Sequence, residues 1–161
     1  MPNEIHSKLS VSEAALDFGT SGAELNSLPA GDVAWCAPIT TLGDEEWAEF
    51  TLAINAGTST PSGTIEYYII RDTGTLVTGD HHIDPTDHGN EGTAADIASL
   101  LADLGGPVFA VEVSEQITYK HAFKVWEPGE SLNLLVYNKT NEAFASSGHS
   151  AYVRGKLKEI Q

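Results

Sequence analysis

Cysteine is almost missing from this chain: Cys36 stands alone among 161 residues. No intrachain disulfide can form, and there is no Cys framework for zinc. In the context Val-Ala-Trp-Cys-Ala-Pro, Cys36 reads as a small buried hydrophobe. Bases are scarce as well, with 8 Lys and Arg against 23 Asp and Glu and a formal net charge of −15. Nucleic acid and anionic membranes would both repel such a body, so neither is an expected partner. Long apolar runs are lacking, and none approaches the ~20 residues needed to span a bilayer. The opening Met-Pro-Asn-Glu-Ile-His-Ser-Lys lacks the basic start and apolar stretch of a signal peptide, so folding in the cytosol is expected. The phosphate-binding loops G-x-x-x-x-G-K-[ST] and G-x-G-x-x-G do not occur, nor do the G-x-S-x-G elbow and H-E-x-x-H.

What is there is mostly strand. "WAEFTLAI" (47–54) alternates Trp47, Glu49, Thr51 and Ala53 with Ala48, Phe50, Leu52 and Ile54, and the second set is the core face. "TIEYYII" (64–70), "PVFAVEV" (107–113) and "HAFKVW" (121–126) are further strands, rich in β-branched and aromatic residues. "SLNLLVY" (131–137) sets Leu132, Leu134 and Val136 against Asn133, Leu135 and Tyr137, and Asn138–Asn141 reads as a turn. "AYVRGKLKEI" (151–160) places Tyr152, Arg154, Lys156 and Lys158 opposite Ala151, Val153, Gly155 and Leu157. "GTAADIASLLADLGG" (92–106) carries Ile97, Leu100, Leu101 and Leu104 at helical spacing, with Thr93 as N-cap and Gly105 as stop. The expected fold is all-β: an antiparallel, jelly-roll-like β-sandwich over 31–161 with one short helix. Residues 1–30 read as an extended N-terminal arm, with edge strands such as Val33–Ile39 beyond it.

Charge is unevenly spread. Residues 1–118 hold 19 acids and two bases, whereas 119–161 hold four acids and six bases. Lys120, Lys124, Arg154, Lys156 and Lys158 suit either a solvated edge guarded by lysines or a surface facing an acidic partner. "DHHIDPTDHGNEG" (80–92) is the stretch that looks most like chemistry. Its His82, Asp84, Asp87 and His88 are metal-ligand candidates by residue type. Pro85 breaks any strand after Asp84, however, and the EF-hand glycine and closing glutamate are lacking. A polar connecting loop is therefore the preferred reading, and no cofactor is expected. Ser147 and His149 in "SSGHS" carry little weight as a nucleophile pair, and "NKT" (138–140) matches a glycosylation acceptor without a secretion signal to give it meaning.

The segments "ELNSLPAGDVAWCAPIT", "EWAEFTLAI", "PSGTIEYYIIRDTG" and "LNLLVYNKTNEAFASSGHSAYVRGKLKEI", in that order, resemble a class of tailed-bacteriophage virion proteins. The class comprises head decoration (cement) and head-fibre proteins. The resemblance covers roughly 24–75 and 123–160 and is looser over 76–122. It implies an antiparallel β-sandwich without catalysis that assembles on the capsid exterior, commonly as a homotrimer on the major capsid protein, after folding in the host cytoplasm. A carbohydrate-binding module of a fibre or tail is the alternative reading, and a metal-dependent enzyme using the His/Asp loop is the third.

Overall fold

A computed structural model describes residues 5–9, 13–18, 25–40, 42, 45–57, 59–71, 101, 105–128 and 132–160. Among the described residues nine strands follow one another: β1 (Ile5–Leu9), β2 (Ala14–Ala15), β3 (Val33–Trp35), β4 (Trp47–Asn55), β5 (Gly63–Arg71), β6 (Phe109–Val113), β7 (Thr118–Trp126), β8 (Leu132–Thr140) and β9 (Ser150–Ile160). They form two antiparallel sheets. The first has the order β1-β9-β4-β7, with β2 also on β9, and the second has the order β3-β8-β5-β6. Setting β2 aside, the chain changes sheet at every connection except β5 to β6. This interleaving of eight strands is the strand order of a jelly roll. The helix expected over 92–106 lies outside the described residues apart from Leu101 and the turn at Gly105 and Gly106.

Alternation explains why β4 lies where it does. Ala48, Phe50, Leu52 and Ile54 are buried while their neighbours are half-exposed. In β9, Ala151 and Val153 turn inward in the same way. In the core, the cross-strand neighbours Phe50 and Phe123 stack with centroids 5.3 Å apart, and Phe109 of the second sheet stacks on Phe123 at 5.3 Å. Burying each such ring stabilises the fold by roughly 1.5–3 kcal/mol relative to leaving it exposed. Cys36 is fully buried in this core, and burial pushes its thiol up to about 12.

Three features differ from the sequence reading. Phe18, Leu25 and Leu28, from the segment read as an arm, belong to the core, and β1 and β2 pair with β9. The described residues of 1–30 therefore share the sandwich's packing and pairing. Second, β8 is buried on both faces. Leu135 joins Val33, Trp35 and Tyr68 in a second cluster on the outer side of the second sheet, where Leu101 also packs. Third, β8 runs on to Thr140, through the residues read as a turn.

That extension centres on Asn138, which is fully buried. Its Nδ2 donates to the carbonyls of Leu28, Pro29 and Glu142 at 2.8–3.0 Å. Its Oδ1 accepts from the backbone N–H of Thr140 and from its hydroxyl, at 3.1 and 2.6 Å. One side chain thus ties the 28–29 loop to the β8–β9 connection, and it is not available as a glycosylation acceptor. Beside it, Gly63 has φ 114°, and a Cβ there would run into the carbonyl oxygen of Lys139.

Candidate binding face

The outer face of the first sheet is assembled by register. Trp47 lies between Trp126 and Lys156, Glu49 between Lys124 and Arg154, Thr51 between Ala122 and Tyr152, and Ala53 between Lys120 and Ser150. Neighbouring strands are ~4.8 Å apart, so side chains in each row are in reach of one another. Four of the chain's 8 bases thereby meet on one surface, flanking the central strand from both sides. Lys158 occupies the β9 position opposite Ser7, in the same alternation. All five cations singled out from the sequence thus fall on β7 and β9, either side of β4.

Glu49 organises one part of this face. Its Oε1 accepts from Arg154 Nη2 at 2.7 Å, and Lys156 Nζ stands 3.8 Å from Oε2. The hydrogen bond from Arg154 holds the Glu49 carboxyl below its usual range; burial opposes this, and the charges of Arg154, Lys156 and Lys124 add to it. Among the described residues, neither Lys120 nor Lys124 makes an ion pair. Lys124 instead sits 5.5 Å above the Trp47 ring. Trp47 and Trp126 lie 5.2 Å apart, tilted by 48°. Trp126 is 58% exposed and Tyr152 is 37% exposed, so the face carries large apolar surface as well as charge.

The sequence reading did not mark Trp126 as a surface residue. The available signal was the alternation of "HAFKVW", which puts Trp126 on the side of Lys124 and away from the core residues Phe123 and Val125.

The other candidates fare differently. His82, Asp84, Asp87 and His88 lie outside the described residues, and no group of three or more metal-type ligands occurs among the described ones. His149 uses both ring nitrogens structurally. Nδ1 accepts from the Asn55 N–H at 3.2 Å, so the proton is on Nε2, which donates to the Ala145 carbonyl at 2.8 Å. Burial lowers its pKa. Ser147 is tied to Asn55 through its backbone carbonyl, 3.2 Å from Nδ2. On the second sheet, Glu66 accepts from Tyr68 at 2.7 Å and from Lys139 at 2.9 Å. Burial works to raise this carboxyl, but the donors outweigh it and hold it low. No protein-family model matches the chain, nor does any curated protein or solved structure.

Proposed function

We propose that the chain is a non-enzymatic virion structural protein that decorates and stabilises a tailed-phage capsid as a homo-oligomer, with a trimer as the expected form. The outer face of the first sheet would be its contact with the major capsid protein. One observation carries the reading. In a chain of net charge −15, four cations and two exposed aromatic rings collect on a single sheet face. Depletion of acid and exposed Trp and Tyr are features of protein-contact surfaces, and the cations, three of them lysines, suit a partner of opposite charge. The resemblance of the strand and turn segments to decoration proteins supplies the class of partner. Such a protein works by burying surface on a shell, so it needs no cofactor.

The test is co-sedimentation of the purified chain with shells of the phage that encodes it, together with its mass in solution with and without chelator. Sedimentation with the shell and a chelator-indifferent trimer are the expected results. A chain that stays in the supernatant contradicts the role. The exposure of Trp126 and Tyr152 also favours a second reading, a carbohydrate-adsorption module of a fibre or tail; binding to host-surface glycan in place of shells would select it.

A further inference from the structure

We infer that the outer face of the first sheet takes an extended, acidic protein segment. Carboxylates of that segment would lie on Lys124, Arg154 and Lys156, and one apolar side chain would lie against Trp126. The inference rests on the shell-contact reading and specifies what that contact consists of.

Charge complementarity gives the sign of the occupant. β4, β7 and the described part of β9 place four cations and a single carboxylate, Glu49, on this face. Glu13, beside the β2 edge, acts on Arg154 from the rim. Donors outnumber acceptors in a further respect: Trp47 Nε1 and Arg154 Nε are covered and have no hydrogen-bond partner. An incoming carboxylate that displaced part of the Glu49 contact would find guanidinium donors already aimed across the sheet.

The aromatic geometry favours a protein segment over a saccharide. A sugar-binding platform needs a ring face left open for stacking. Here the ammonium of Lys124 occupies one face of Trp47, and Trp126 meets Trp47 at 48°, so the two rings do not form one plane. What Trp126 offers is exposed indole surface tilted against Trp47 and beside cations, which suits an aliphatic or aromatic anchor followed by carboxylates.

The face carries its own reporter. Trp35 is 1% exposed, so a surface change in tryptophan fluorescence comes from Trp47 and Trp126. The full chain is titrated at low salt with three probes: an Asp/Glu-rich peptide containing one leucine, the same peptide with glycine for leucine, and an oligogalacturonate of equal charge. The leucine peptide should perturb the fluorescence and bind at least about fivefold tighter than either comparator. It should weaken several-fold on raising salt to ~150 mM, where screening acts beyond ~8 Å. Lys120→Glu with Lys124→Glu should abolish the response while the circular dichroism stays unchanged and the melting temperature falls only by the small cost of placing a carboxylate opposite Glu49. Equal or tighter binding of the oligogalacturonate overturns the inference in favour of a glycan. An oligomer of the chain alone that the same double variant dissociates overturns it in favour of a second copy. If shells are bound by protein that ignores the leucine peptide, this inference fails and the decorating role stands. Peptide binding without shell binding removes the decorating role and leaves the inference.

Discussion

Trp126 on β7 lies against Trp47 on β4, with ring centroids 5.2 Å apart. Trp47 is the half-buried member and Trp126, 58% exposed, is the outer one. Their removal should therefore have different effects. Trp126→Ala should cost only about 1 kcal/mol of stability, the order of a partly exposed aromatic contact, yet weaken shell binding about tenfold or more, as a central anchor does. Thermal melting and co-sedimentation of the same variant check both halves. A large loss of stability with unchanged binding would make Trp126 a structural residue only.

Asn138 should be worth more to the fold than its place in a turn-like sequence suggests. Asn138→Ala removes the partner of the buried Thr140 N–H and one of the two donors to each of the Leu28, Pro29 and Glu142 carbonyls, which keep the Phe144 N–H, the Asp32 N–H and the Thr140 hydroxyl. An orphaned buried donor costs roughly 1–3 kcal/mol, so with the lost carbonyl contacts a loss of about 2 kcal/mol is expected in urea denaturation. A loss below ~0.5 kcal/mol, typical of a surface site, would show that water replaces the side chain freely.

Alternation was legible where one face of a strand met the core and the other met solvent. β4 and β9 satisfied that condition, and their inward residues were readable from spacing alone. β8 did not, because the cluster of Val33, Trp35, Tyr68 and Leu135 covers the second sheet on its outer side as well. With both faces buried, period-two contrast disappears, and Leu135 looked like the polar-face partner of Asn133. The individual cations were also legible. Their convergence was not, since β7 and β9 are separated along the chain by β8 and meet only through their common register with β4. Residues 1–30 misled by spacing: their apolar residues follow no strand or helix period, yet Phe18, Leu25 and Leu28 among them belong to the core.

This last point sets the expectation for truncation. Phe18→Ala should cost about 3–5 kcal/mol, as for other large-to-small core changes. Deletion of residues 1–30 removes all three buried side chains, a loss comparable with the ~5–15 kcal/mol total stability of a domain. The shortened chain should melt far lower or fail to fold cooperatively. A truncated chain with the full-length melting temperature would restore the independent arm.

Acid should destabilise the fold beginning well above the carboxylate range. His121 packs between Tyr67 and Phe109 with neither ring nitrogen hydrogen-bonded, and burial pushes its pKa down to about 4. The unfolded chain, with histidine near ~6.5, takes up the proton first. The stability is therefore fully present above pH ~6.5 and is lost as pH falls toward ~4. His149, also lowered, adds in the same direction, and Glu49 and Glu66 follow at lower pH. Urea denaturation at several pH values between 4 and 7 measures this slope, and His121→Phe should flatten it. An equal slope in the variant would assign the effect to other groups.

The measurement closest to the central claim is co-sedimentation with shells across a salt series, comparing the natural chain, Lys120→Glu with Lys124→Glu, and Val108→Glu with Ala110→Glu. The last pair adds acid at exposed positions in and beside β6, on the other sheet. The natural chain and the β6-side variant should sediment with the shells, and both should weaken modestly as salt rises. The β7 variant should remain in the supernatant at every salt concentration while keeping its fold. Full binding by the β7 variant, or loss of binding confined to the β6-side variant, would contradict the assignment of the contact to the first sheet.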